Sequence, residues 1–220
     1  MRFQHRTAAG QLLATQLSTY ANRDEVMVLA LPRGGVPIGF EVAQALHVPL
    51  DVLIVRKLGV PGHEELAMGA IAPGGVQILN HQIIQSCQVE DTAIATVIAQ
   101  EQQELTRREQ LYRGDRPATN LRDRTVILVD DGLATGATMR VAVQAVRQEH
   151  PAQVVVAVPV AAPETSEMLA AEVDRLICME TPRRFSSVGS WYEDFSQTTD
   201  EEVRLLLTAA HEFRPSVLFS

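Results

Sequence analysis

Residues 125–138 read Thr-Val-Ile-Leu-Val-Asp-Asp-Gly-Leu-Ala-Thr-Gly-Ala-Thr. Thr125 to Val129 is apolar or β-branched at every position, which predicts a strand buried on both faces of a parallel sheet. Ligands of open α/β sheets bind at the carboxyl ends of the strands, and this strand ends in two adjacent carboxylates, Asp130 and Asp131. From Gly132 to Thr138 nearly every side chain is small, so backbone N–H groups can close on an anion. The helix that follows, roughly Thr138 to Glu149, points the positive end of its dipole at the same place. Thr135 and Thr138 add hydroxyl donors. A phosphate needs N–H donors and a sugar diol needs acceptors; one stretch supplying both points to a bound ribose 5-phosphate. No Gly-Lys-Ser/Thr follows the turn, which excludes a Walker loop. A dinucleotide fingerprint would need three glycines at fixed spacing.

Strands and helices alternate on either side of this stretch. Arg6 to Tyr20 has helical spacing, Val26 to Leu31 reads as a buried strand, Val36 to His47 as a helix and Leu50 to Val55 as the next strand. Leu58 to Gly75, with five glycines and two prolines, reads as irregular. Val76 to Leu79 is a short strand followed by a small helix, and Glu90 to Tyr112 a long helix with Gly114 to Asn120 as its exit loop. Val154 to Val160, Pro163 to Ala171 and Arg175 to Met179 complete the pattern as strand, helix and strand. Such alternation implies right-handed crossovers and a parallel sheet. The ends, before about Asn22 and after Glu180, lie outside it and can pack together as a lid.

A chain of 220 residues can bury a full core, and 46% hydrophobic with 21% charged residues is ordinary for a globular protein. The net charge of −8 argues against a general affinity for nucleic acid or anionic membrane. Cys87 and Cys178 are too few for a disulfide framework or metal cluster, and both read as buried small apolar residues of a reduced, cytoplasmic protein. The amino terminus lacks the apolar run of a signal peptide. No stretch approaches the roughly 20 apolar residues of a membrane span.

The apolar strand, the Asp130-Asp131 pair and the Ala-Thr-Gly-x-Thr run from Ala134 to Thr138 together resemble the 5-phosphoribosyl-1-pyrophosphate (PRPP) motif of the type I phosphoribosyltransferases, closest to the adenine enzymes. The resemblance implies an α/β fold: a parallel sheet flanked by helices, core about 23–180, with a small hood from segments 1–22 and 181–220, all as one domain. It implies transfer of the 5-phosphoribosyl group of PRPP to a nitrogenous, purine-like base in nucleotide salvage, with release of pyrophosphate. It also implies Mg²⁺ on pyrophosphate and ribose oxygens, held by Asp130 and Asp131 directly or through water, and a homodimer. Leu133, Ala134, Thr135, Gly136, Ala137 and Thr138 would hold the 5-phosphate.

Leu31-Pro32-Arg33-Gly34-Gly35-Val36 is a second small turn feeding a helix amino terminus. By resemblance it is the pyrophosphate loop, with Arg33, Gly34 and Gly35 as contacts and a non-trans peptide between Arg33 and Gly34. Arg56 and Lys57, at the next strand end, would add cations, and the glycine-rich loop after them would close over PRPP. Arg33 and Lys57 are thereby candidates for catalysis. Within that loop Glu64 and Glu65, beside His63, are candidates for proton transfer, though an ordinary exposed loop would carry the same residues. The segment Thr181 to Phe195 resembles, loosely, the hood of hypoxanthine-guanine phosphoribosyltransferases. Phe185 is its stacking candidate, with Trp191 second; equally, these aromatics would serve to pin the carboxyl-terminal segment to the core. One departure stands out: Ala134 occupies the position of the aspartate that accepts a proton in the hypoxanthine-guanine enzymes. The adenine enzymes also carry alanine there. The rival expectation is a PRPP-sensing regulator without catalysis.

Overall fold

The computed structural model of the chain describes residues 2–114, 116–117 and 119–213. Part of the expected exit loop Gly114 to Asn120, and residues 214–220 of the expected hood, lie outside the described residues.

Five parallel strands form the main sheet in the order β2 (Leu50–Val52), β1 (Val26–Ala30), β6 (Thr125–Val129), β7 (Gln153–Val160), β8 (Arg175–Glu180). The middle strands are continuously apolar because both their faces are covered. Val26, Val28, Ala30, Ile127, Val129, Val155 and Ala157 turn to one side, against α1 (Arg6–Gln16), α2 (Gly35–Leu46) and α7 (Asp200–Phe213). Met27, Leu29, Val126, Leu128, Val154, Val156 and Val158 turn to the other, against α5 (Ala137–Gln148) and α6 (Pro163–Ala170). This is the expected parallel sheet flanked by helices.

The stretch expected to be irregular is a second sheet. β3 (Arg56–Val60), β4 (His63–Ala72) and β5 (Val76–Leu79) run antiparallel. Pro61-Gly62 closes the β3–β4 hairpin, with Val60 opposite His63 and Gly62 at φ 78°, the chemistry of a tight turn. Gly59 sits where the register shifts, a bulge position. The glycines that suggested a loop are therefore turn and bulge residues inside a hairpin. The preceding strand is correspondingly shorter than Leu50 to Val55. It leaves the main sheet after Val52, and Leu53 and Ile54 stay buried in the passage to the second sheet.

Three other differences concern ends. The first helix stops at Gln16, and Ser18–Tyr20 is a separate 3₁₀ turn. Cys87 is exposed, because it caps the short surface helix α3 (His81–Ser86), while Cys178 is half-buried on β8 with its thiol pushed up to about 11 by burial. The carboxyl-terminal segment ends in α7, which packs on α2 and α4 (Asp91–Arg113). The two ends do meet: Phe3 bridges Tyr192, and their rings lie 5.5 Å apart.

The long helix α4 is fastened at its end to the edge strand. Asp51, 7% exposed, accepts from Arg113 Nε at 3.1 Å and from Thr119 Oγ1 at 3.1 Å, while Arg113 Nη2 donates to Val52 O at 2.6 Å. Arg113 keeps its pair with Glu109 at 2.9 Å, so Asp51→Ala, which removes the charge-assisted bonds to Asp51, should cost about 1.5–3 kcal/mol in a urea titration. Arg107→Ala, which removes an exposed pair to Glu104 on the same helix, should leave the midpoint where it was.

Candidate functional site

β1 and β6 are neighbours with Ala30 opposite Val129, so the loops that follow them start side by side. The N–H of Leu31 donates to Val129 O at 2.9 Å, and the N–H of Gly35 donates back to Leu31 O at 3.0 Å. A side chain on Gly34 would overlap the Asp131 carboxylate, and one on Gly35 would lie 2.6 Å from Val129 O. The two glycines are what let the loop after β1 close onto the acid pair after β6. The cis peptide of this loop joins Pro32 to Arg33, one residue earlier than the expected Arg33–Gly34 bond.

The two carboxylates differ. Asp130 is half-buried and accepts the Asp131 N–H at 2.8 Å. Burial, and then the charge of Asp131, push its carboxyl well above the usual range. Asp131 is also pushed up by burial but is opposed by Arg6, whose Nε and Nη2 donate to Oδ2 at 3.0 and 2.8 Å. Arg6 reaches further: its Nη1 donates to Ser196 O at 2.6 Å and its guanidinium lies 4.0 Å from the centroid of Phe195. Tyr192 Oη donates to the Asp131 carbonyl at 2.6 Å. Both ends of the chain thus converge on Asp131. Nothing local in the sequence marks Arg6, which lies 125 positions away; only the position of both terminal segments outside the alternating pattern hinted that they meet.

The turn after the acids is braced from below. Leu133 N–H donates to Val160 O and Ala162 N–H to Leu133 O, both at 2.9 Å, and Thr165 Oγ1 donates to Ala134 O at 2.6 Å. Gly136 adopts φ 69°, and a side chain there would come within 2.6 Å of Thr165 Cγ2. With that framework fixed, Ala134, Thr135 and Ala137 face solvent and Thr138 is half-buried. The first-turn N–H groups of α5 have no intrahelical acceptor and open at this spot.

The remaining candidates are distributed around these loops. Arg33 is one-third exposed, with Nη1 3.8 Å from Asp200 Oδ1. Arg56 is turned to α4 and paired with Glu101 at 2.6 Å, so it does not stand free as a cation. Lys57 is exposed and lines a cleft of about 370 Å³ with Ala137 and Arg140 of α5 and His81 of α3. His63, Glu64 and Glu65 are exposed at the start of β4, where Glu64 accepts the Gly62 N–H at 3.2 Å. Phe185 and Trp191 are half-buried against Phe3, Val160 and Tyr192. A side chain on Gly132 would lie 2.7 Å from Val188 Cγ1, which places the segment carrying Phe185 over the acid pair. Among the described residues no group of three or more His, Cys, Asp and Glu is arranged to hold a metal ion. No described helix is long and apolar enough to cross a membrane.

Two small-residue turns on adjacent parallel strands thus meet at the Asp130-Asp131 pair on the carboxyl edge of the sheet. The chain belongs to the phosphoribosyl transferase domain family, whose sequence profile matches residues 4–194. A provisionally named phosphoribosyl transferase of Mycobacterium tuberculosis, found in two strains, is 43% identical over 209 residues, 95% of this chain and 47% of that protein. The chain therefore spans about half the length of the curated relatives it matches. The crystal structure of TT1426 from Thermus thermophilus is 42% identical, with a TM-score of 0.81 over 95% of this chain and 99% of that one. The AQ2163 protein of Aquifex aeolicus, at 15% identity and a TM-score of 0.51 over 92% of this chain and 85% of that one, shares the fold.

The acids should respond unequally to neutralisation. A carboxyl raised in the folded state opposes folding when it is ionised, above its folded pKa, and has no effect below the unfolded value of about 3.9. Asp130→Asn should therefore raise Tm at pH 7, with the gain fading towards pH 4. Asp131→Asn should gain less, because the rise of its carboxyl is opposed by Arg6 and the variant weakens those two charge-assisted bonds. Thermal unfolding of both variants across pH checks the pair.

Proposed function

We propose that the chain binds PRPP at the joined turns Leu31–Gly35 and Asp130–Thr138 and transfers its 5-phosphoribosyl group to a nitrogenous, purine-like base, releasing pyrophosphate. The observation that carries this reading is the contact of Gly34 and Gly35 with the Asp130-Asp131 pair, which puts two anion cradles on either side of two carboxylates. In it the core 23–180 and the hood segments 1–22 and 181–220 work as one unit. Leu133 to Thr138 take the 5-phosphate, and Asp130 and Asp131 accept from the ribose hydroxyls. Arg33, Gly34, Gly35 and Lys57 take the pyrophosphate. Arg56 joins them only if its pair with Glu101 opens.

Mg²⁺ suits this donor set as an ion carried on the substrate's own oxygens, since it keeps few protein ligands when phosphates are present. Asp130, half-buried and next to a second carboxylate, is the protein group best placed to favour it, directly or through water. Bound there, the ion would neutralise charge on the departing pyrophosphate. The protein's own contribution is positioning and charge stabilisation. Arg33 and Lys57 offset charge on the leaving group, the half-buried acids hold the sugar, and Phe185 with Trp191 offers an aromatic wall to the base.

No acid stands at position 134, so a proton leaving the base must go elsewhere. Glu64 and Glu65, exposed beside the hairpin turn, can reach it only by closure of that hairpin. The same observation favours a second reading, a PRPP-sensing regulator that binds without turnover.

A panel of bases with PRPP and Mg²⁺, read by pyrophosphate release, distinguishes the two, and PRPP binding with no turnover on any base would favour the sensor. Gly136→Val should abolish PRPP binding. Phe185→Ala should raise the KM for the base while PRPP affinity stays put, a stacking contact contributing about 0.5–1.5 kcal/mol. At least one of Glu64→Gln and Glu65→Gln should lower kcat about 10²-fold.

A further inference from the structure

α7 delivers a carboxylate to the pyrophosphate loop. Its first turn carries Asp200, Glu201 and Glu202, and Thr199 caps it by accepting the Glu202 N–H on its hydroxyl at 3.1 Å. Asp200, the first residue of the helix, points back to the core. Its Oδ1 accepts from Tyr112 Oη at 2.5 Å and lies 3.8 Å from Arg33 Nη1. Tyr112, 3% exposed near the end of α4, spends its hydroxyl on this one contact, and burial together with the neighbouring carboxylate pushes its pKa up to about 12. Arg33 itself is held by little else: Asp200 is its one salt-bridge partner among the described residues.

We propose that Asp200 is the resting partner of Arg33, keeping the guanidinium at the pyrophosphate loop in competition with an incoming pyrophosphate and yielding it when one arrives. This rests on the reading of Arg33 as a pyrophosphate contact. The chemistry of the contact suits a temporary partner. Asp200 has a second partner in the Tyr112 hydroxyl and stands at the positive end of a helix. The pair is long and one-third to nearly one-half exposed, so it is weak. A pyrophosphate offers the same guanidinium two oxygens at hydrogen-bonding distance and a larger charge, and a bidentate Arg–phosphate contact outcompetes a loose carboxylate. A tight Arg33–Asp200 pair would block the loop, whereas at 3.8 Å and partly exposed it can exchange for an anion.

Competition has a sign that mere support of the fold does not. Removing the competing charge should tighten the anion, whereas loosening the structure can only weaken it. Calorimetry with inorganic pyrophosphate and Mg²⁺ on the full chain should show Asp200→Asn binding about two- to five-fold tighter than wild type, the range of an exposed ion pair. Asp200→Glu should bring affinity back towards wild type. The effect should vanish in an Arg33→Ala background, and Tyr112→Phe, which leaves Asp200 leaning more on Arg33, should weaken binding. Unchanged or weaker binding by a folded Asp200→Asn, with Arg33→Ala clearly impaired, overturns the inference and leaves the functional reading standing. If wild type and Arg33→Ala bind pyrophosphate equally, or neither binds it, the assignment of Arg33 falls first and this inference with it.

Discussion

Two carboxylates on consecutive residues at the end of a buried strand repel each other and lose hydration together, and the way this is resolved organises the rest of the molecule. Only one of them is given a permanent partner. Arg6 takes Asp131 with two donors, and in doing so brings helix α1, the carbonyl of Ser196 and the ring of Phe195 to one point. Asp130 has no cation of its own among the described residues, and its carboxyl is raised. An unresolved cost of this kind is what a ligand can relieve, because sugar hydroxyls or a metal ion supply what the protein withholds. The neighbouring glycines complete the arrangement by letting the turn after β1 lie directly on the acids.

The parts readable from sequence were those set by local pattern. Thr125–Val129 announces a doubly covered strand because each residue is apolar or β-branched, and the sheet, with its five strands, follows from repeats of that signal. The small turn from Gly132 to Thr138 is visible for the same reason, since the absence of side chains is itself the signal. The hairpin β3–β4 was not visible. Its glycines serve a turn at Gly62 and a bulge at Gly59, and composition alone does not separate those uses from a loop. Nor was the state of the charged residues. Arg56 looks free in the sequence, but Glu101, 45 positions later, lies within 2.6 Å. Asp131 looks solvated, but Arg6 and Tyr192 enclose it. Pairing across such distances is set by tertiary packing, for which a single sequence carries no marker.

Membership of the phosphoribosyl transferase family fixes the frame within which these differences matter. Within it, the sheet edge and its two turns form a braced frame, and the hairpin with Lys57, Glu64 and Glu65 and the segment with Phe185 and Trp191 are attached around it. That arrangement follows the general division between a rigid sheet and peripheral segments. The curated relatives, about twice as long, carry the same region alongside further sequence.

Phe3 pairs with Tyr192, and Arg6 with Asp131 and Ser196, which has a bearing on how the protein is made. A chain emerging from the ribosome in order can pack its first helix on α2 soon after both have formed, but Phe3 and the guanidinium of Arg6 wait for a segment far downstream. Until the segment from Trp191 to Ser196 has been made, Phe3 has no seat and Arg6, although it precedes Asp131, lacks the Ser196 carbonyl and the Phe195 ring that hold it in place. The strands can pair earlier, since β1, β2 and β6 need none of the terminal segments for their register. Assembly is therefore expected to run with the sheet first and the enclosure of Asp131 last, so that a nascent chain stalled before Trp191 would hold a formed core with that edge still open.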